Sequence, residues 1–213
     1  MKKSTYMSLA VCVLCGFILA VSPGGIAQVY TPQPFSADIA MTNHGQTMTG
    51  KYFFSPPSFR MDMAQKGQSM SMIVDGSTQT SYMVMHDRHM YIETKANQTN
   101  PMAAHAPKGP TFDATRPCGG SNMTTCGKVG TETVNGRVCD KWVGADKQGH
   151  TGTAWIDQKL MFPIKGVDNE GNTWDMTNIK EGRQDAALFQ PPAGYQKMDF
   201  SSMMGGMGGR PPQ

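Results

Sequence analysis

Residues 58–76 read Ser58-Phe59-Arg60-Met61-Asp62-Met63-Ala64-Gln65-Lys66-Gly67-Gln68-Ser69-Met70-Ser71-Met72-Ile73-Val74-Asp75-Gly76. Phe59, Met61 and Met63 alternate with Ser58, Arg60 and Asp62, and Met70, Met72 and Val74 alternate with Ser69, Ser71 and Ile73. A period of two sends successive side chains to opposite faces of an extended chain. The stretch therefore predicts strands over 58–63 and 69–74, closed by the turn dipeptide Asp75-Gly76. Toward the N-terminus, residues 35–42 alternate without a break, and Met48, Gly50, Tyr52 and Phe54 alternate with Thr47, Thr49 and Lys51. In the other direction, predicted strands over 80–85 and 90–94 flank His86-Asp87-Arg88-His89, a polar hairpin turn. Six consecutive strands with short connections imply an antiparallel meander.

Residues 96–127 interrupt this rhythm with Asn, Pro, Gly and Thr, and a loop of that length inside a domain reads as a lid or a functional excursion. Strands resume over 129–134 and 137–143, joined by the hairpin signal Asn135-Gly136, and continue over 152–157, 162–167 and 173–179. Residues 185–189 predict a turn of helix before Pro191-Pro192. The expected fold is mainly β: a single curved antiparallel sheet, or half-barrel, with few short helices. A two-sheet sandwich fits the same pattern.

The ends of the chain differ from its middle. Lys2 and Lys3 precede an uncharged apolar run over 9–21, followed by small residues at Gly25 and Ala27. This is the pattern of a secretory signal, and the run is shorter than the roughly 18–20 residues that cross a bilayer as a helix. The expected organisation is a signal peptide over 1–27 cleaved after Ala27, a linker over 28–32 and a β domain over 33–199. The stretch 96–127 forms its cysteine-containing lid, and 200–213 a disordered Met/Gly/Pro tail. Delivery to the periplasm follows, with no transmembrane anchor after cleavage. The net charge of +3 falls near neutrality once Lys2 and Lys3 leave. That removes any electrostatic case for nucleic acid or for anionic membrane surfaces.

Cleavage also removes Cys12 and Cys15, leaving Cys118, Cys126 and Cys139 in an oxidising compartment. Seven flexible residues separate Cys118 from Cys126, so a bridge between them is expected. A two-residue turn at Asn135-Gly136 sets Cys139 opposite Glu132, about 20 Å along the strand from Cys126 at ~3.4 Å per residue. Cys139 is then unpaired; 126–139 and 118–139 remain as alternative pairings.

Gly50 leading to Pro57, Phe59-Arg60, Asp75-Gly76 and an aromatic in the next strand together resemble the first half of the LolA/LolB-like lipoprotein-carrier superfamily. The second half adds Gly130-Thr131-Glu132-Thr133-Val134-Asn135-Gly136-Arg137, Trp155-Ile156-Asp157, and Leu188-Phe189 before Pro192-Ala193-Gly194-Tyr195. This order is similar to that of a LolA-like periplasmic family described as a domain of unknown function. The resemblance implies a half-barrel whose concave apolar face holds lipid beneath a lid. Arg60 matches the arginine that regulates closure of that cavity in the carriers. Met61 stands where those proteins carry tryptophan, and the Pro/Gly/Cys-rich stretch replaces their lid helices.

Methionine is the outlier, with 17 of the 19 lying beyond the signal. Three readings compete: gap-filling core, an adaptable surface that repacks around acyl chains, and a thioether site for Cu(I) or Ag(I). The expected ligand-binding residues are Met41, Met48, Phe54, Met61, Met63, Met72 and Met83 on the concave face, with Arg60 at its rim. His86 and His89 would face each other across a two-residue hairpin and form a copper or zinc pair with Met85 or Met90; the simpler reading is two solvated turn histidines. Trp142, Trp155 and Trp174 read as core or cavity-lining residues. No nucleophile elbow, His-Glu-x-x-His helix or phosphate-cradling glycine loop occurs, so no catalytic residue, cofactor or resident metal is expected. The sequence points to a non-enzymatic periplasmic carrier of a lipid or other apolar ligand, with a lipoprotein or envelope protein as a further partner. A soft-metal binding protein is the alternative.

Overall fold

A computed structural model describes residues 32–65, 67–95, 117 and 123–198. The expected signal peptide, the tail from 200 onward and Cys118 lie outside them. Twelve strands form one sheet: β1 (Phe35–Asn43), β2 (Gln46–Ser55), β3 (Ser58–Gln65), β4 (Gln68–Asp75), β5 (Thr80–Met85), β6 (Met90–Lys95), β7 (Met123–Val134), β8 (Arg137–Asp146), β9 (Thr151–Asp157), β10 (Phe162–Asp168), β11 (Thr173–Glu181) and β12 (Gln196–Met198). Their spatial order is β12-β6-β5-β4-β3-β2-β1-β11-β10-β9-β8-β7. Two antiparallel meanders, β1–β6 and β7–β11, are joined by the antiparallel pairing of β1 with β11. Among the described residues, the one parallel contact is β12 on β6. Among the described residues, helix is limited to two 3-10 turns, His86–Arg88 and Ala186–Phe189.

Aromatic contacts give the sheet its direction of curl. β2 and β10 are separated by β1 and β11, which in a flat sheet at ~4.8 Å per strand would hold them about 14 Å apart. The rings of Phe54 and Phe162 nevertheless stand 4.9 Å apart, and Phe35 meets Phe162 at 5.2 Å. The face carrying Phe35, Tyr52, Phe54 and Phe59 is therefore concave, and these rings form its packed floor. Gly50 lies on this face because only a bare Cα fits: a Cβ there would fall 1.9 Å from the Asp62 carbonyl oxygen of β3. The opposite face packs Phe53, Ile73, Tyr82, Val84 and Tyr91 beneath Leu188, Phe189 and Tyr195.

A buried ion pair ties the second meander together. Asp157, 1 % exposed, accepts from the backbone N–H groups of Lys159 and Leu160 at 2.8 and 2.7 Å, capping the β9–β10 turn. Arg137 pairs with that carboxylate and reaches Glu181 of β11 at 2.7 Å.

Asn135 and Gly136 take positive φ of 52° and 78°, as a two-residue hairpin requires, and Glu132 stands opposite Cys139 as the turn predicts. Two expectations need correction. β7 begins at Met123, so Cys126 lies in a strand opposite Gly144 instead of in the loop expected over 96–127. As the last strand of the sheet, β7 needs only one hydrogen-bonding neighbour and no apolar alternation, which removes its sequence signal. β12 is absent from the expected set, since three residues carry no periodicity. The stretch His86–His89 connects β5 and β6 as expected: Met85 pairs with Met90, so the two histidines belong to a four-residue connection and the two-residue hairpin that would oppose them does not form.

Candidate functional site

Register places the expected methionines together. From β2 to β6 one row of directly opposed residues runs Gly50, Met63, Met70, Met85, Met90, and the next runs Tyr52, Met61, Met72, Met83, Ile92. Met41 and Met48 oppose each other on the same face, and Phe54 opposes Phe35. Arg60 is separated from all of them. As the neighbour of Met61 it must point to the convex face, where Nε donates to Asp62 at 2.6 Å and Nη1 to the Leu188 carbonyl at 3.2 Å. Nη2 donates to Ser71 Oγ at 3.2 Å. Arg60 thus fastens the C-terminal segment to the back of the sheet, and the expected rim position is corrected by simple strand alternation.

His86 joins this convex-face network. Its Nε2 lies 2.6 Å from Ser71 Oγ and its Nδ1 3.0 Å from the Tyr195 hydroxyl. Both ring nitrogens are engaged, so the alternative reading of a metal-binding pair with His89 is not supported.

The concave face holds a cavity of about 580 Å³ at its other half. Met41 and Met48 line it, together with Trp142, Ala154, Gly166, Val167 and Trp174. Phe54, Met61, Met63, Met72 and Met83 do not. Trp174 lies over Gly166, where a Cβ would fall 1.8 Å from the indole Nε1. Gly144 opposes Gly152 in the cavity wall. Small residues in mid-strand opposite tryptophans are the signal that sequence reading passed over: they deepen a sheet surface where bulky residues would fill it. Trp155 is not part of the wall. Its Nε1–H donates to Glu132 at 2.7 Å, and Lys141 and Lys165 place ammonium groups 5.3 and 5.4 Å from its ring.

Asn43, Asp168 and Asn172 line the cavity at the ends of β1, β10 and β11 and form a polar rim. His44 N–H donates to Asn172 Oδ1 at 3.0 Å, locking the β1–β2 turn to the β10–β11 turn. The Asn172 side-chain amide bonded to Asp168 holds that carboxyl below the usual carboxylate range, keeping it ionised at the rim. Nearby, in the β8–β9 turn, His150 Nδ1 meets Asp146 Oδ2 at 2.8 Å. This hydrogen bond raises the His150 pKa above 6.5 and lowers that of Asp146 below 3.8. The histidine contribution is complete below pH 6.5 and fades as pH rises through the elevated value. The aspartate contribution is complete above pH 3.8 and fades as pH falls through the depressed one. The turn is expected to be most ordered between these limits. A histidine NMR titration should place the His150 midpoint above 6.5, and Asp146→Asn should lower it toward the ordinary value.

Cys139 is a free, buried thiol, and burial pushes its pKa up to about 11. It sits in a strand as an unreactive core residue. Among the described residues, no three His, Cys, Asp or Glu side chains converge as a metal site. None of their helices is long and apolar enough to cross a membrane.

Curvature, single-sheet topology and an apolar inner cavity define an open half-barrel. The chain belongs to the DUF4412 family, a domain of unknown function, whose profile matches residues 36–161 and 153–195. An uncharacterized conserved protein from Thermus thermophilus shares the fold, with 12 % identity, covering 78 % of this chain and 90 % of its own, at a TM-score of 0.53. MucB of Pseudomonas aeruginosa, in its complex with MucA, is 17 % identical with a TM-score of 0.50; the match covers 76 % of this chain and 56 % of that one. This chain therefore spans little more than half of the MucA/MucB chain it matches. The Mycobacterium tuberculosis lipoprotein LppX is 13 % identical over 75 % of this chain and 88 % of its own, at a TM-score of 0.37. No curated protein matches the sequence.

Proposed function

We propose that the protein is a non-enzymatic periplasmic carrier or binding module that takes one small amphiphile, an acyl chain or lipid, into the concave cavity. The observation that carries this reading is the cavity itself. Its volume of about 580 Å³ lies within the ~300–1,000 Å³ of small-molecule sites, and Met41, Met48, Trp142, Val167 and Trp174 give it apolar, adaptable walls. The polar rim supplies a place for a head group. Because Asp168 is ionised there, a neutral head suits the rim better than a carboxylate. The test is a fluorescent long-chain probe with a neutral head, followed by energy transfer from Trp142 and Trp174. Saturable binding at micromolar probe, displaced by unlabelled lipid, is expected; no transfer from these tryptophans at any probe concentration would refute the assignment. Since MucB is solved with MucA, a peptide from an envelope protein is the informative competitor.

The organisation proposed from sequence completes the reading: a signal over 1–27, a domain over 33–199, a tail from 200 and a Cys118–Cys126 bridge closing the stretch between the two meanders. Closing so short a loop contributes about 2–3 kcal/mol in the chain-entropy account. Thiol counting on protein isolated without reductant should then give no reactive thiol in the native state and one, Cys139, after unfolding. Three reactive thiols after unfolding would exclude the bridge.

A further inference from the structure

The cavity leaves most of the concave-face methionines without a role. Met63, Met70 and Met85 sit directly opposite one another on β3, β4 and β5, and Met61, Met72 and Met83 form the adjacent row. None of the six lines the cavity. Packing explains only some of them: Met61 belongs to the buried core and Met63 and Met72 pack against it, whereas Met70, Met83 and Met85 join neither hydrophobic cluster. Only Met61 is buried, at 9 % exposure, whereas Met83 is 43 % exposed and the other four are half-buried. An apolar strand surface with no further task is built from Val, Ile and aromatic residues, which suit a pleated sheet, and methionine loses more side-chain freedom on ordering than they do.

We propose that this double row is a thioether site for a soft monovalent cation, Cu(I) or Ag(I), with Met63, Met70 and Met85 as the primary ligands. Neighbouring strands lie ~4.8 Å apart and directly opposed Cβ atoms ~4.5–5.5 Å apart. The unbranched side chains have three rotatable bonds, so three sulfurs of one row converge on an ion without backbone movement. Between β3 and β5 neither row carries a charged residue. Neutral thioethers offer little to a hard divalent ion, which demands oxygen ligands and charge compensation; a soft monovalent ion prefers sulfur and is cheaper to desolvate. The partial exposure of Met70, Met83 and Met85 supplies the path of entry. Because the rows and the cavity use different residues, this inference and the lipid reading stand or fall separately.

Titration of the full chain with Ag(I), a redox-stable probe, tests it. One ion per chain is expected by native mass spectrometry, and methyl-labelled methionine NMR should show the largest shifts at Met63, Met70 and Met85. The triple change Met63→Leu, Met70→Leu, Met85→Leu keeps much of the packing volume and removes the sulfurs; it should weaken binding at least a hundred-fold. Met41→Leu with Met48→Leu should leave binding unchanged. Cys139→Ala should also retain the ion, separating thioether from thiol binding. Absence of Ag(I) uptake, binding that survives the triple change, or binding lost with Cys139 overturns the proposal. If the triple variant does not fold, the wild-type methyl spectrum decides alone: shifts at the three named methyls support the site, and none there refutes it.

Discussion

Met48→Glu is expected to weaken the neutral long-chain probe at least about a hundred-fold while the protein stays folded. Met48 is half-buried, opposes Met41 across β1 and β2, and lines the cavity. A carboxylate at that position faces the indoles of Trp142 and Trp174. A bound apolar chain would have to strip water from the charge with no compensating partner. That costs several kcal/mol, and each ~1.4 kcal/mol is tenfold in affinity. Without ligand the same side chain stays hydrated through the open cavity, so thermal stability should change little. Met83→Glu, at an exposed position outside the cavity, is the control and should bind the probe normally. Equal loss in both variants would place the ligand elsewhere on the concave face.

Arg137→Ala should produce the largest loss of stability. Asp157 is buried, and Arg137 is the cation paired with it. Removing one partner of such a pair costs about 3–5 kcal/mol, because a buried charge is left uncompensated. The lower end, about 3 kcal/mol, applies here: the Arg137 side chain is 20 % exposed, and the Lys159 and Leu160 N–H groups still serve the carboxylate. For a domain of this size that corresponds to a fall in Tm on the order of 6–12 °C. Differential scanning calorimetry checks it. Arg137→Lys should fall between, since it keeps the charge and loses the fork that reaches both Asp157 and Glu181. A melting point for Arg137→Ala within about a degree of wild type would show that the pair contributes nothing.

The strands are most legible where one face is more deeply buried than the other, as in β1 and β10, and period two records that difference directly. The Asn135-Gly136 register is legible for a local reason, since two residues with positive φ fix the hairpin without reference to the rest of the chain. β7 reads too short because an edge strand with an exposed outer flank needs no alternation. The cavity is half visible. Met41 and Met48 follow from alternation, but which of many methionines line the cavity depends on the β1–β11 junction, which brings Trp174 beside Met41. That pairing joins residues more than 130 positions apart and leaves no sequence pattern. Arg60 is a different kind of miss: its alternation with Met61 already assigns it to the other face, and a family resemblance overrode the physical reading.

The most direct test of the carrier account is a native mass spectrum of protein purified without detergent or organic solvent. The account predicts a bound population heavier than the processed chain by the mass of one amphiphile, with the added mass absent from Met48→Glu prepared in parallel. A spectrum showing only the bare chain, which also takes up no added neutral lipid at excess concentration, would contradict it.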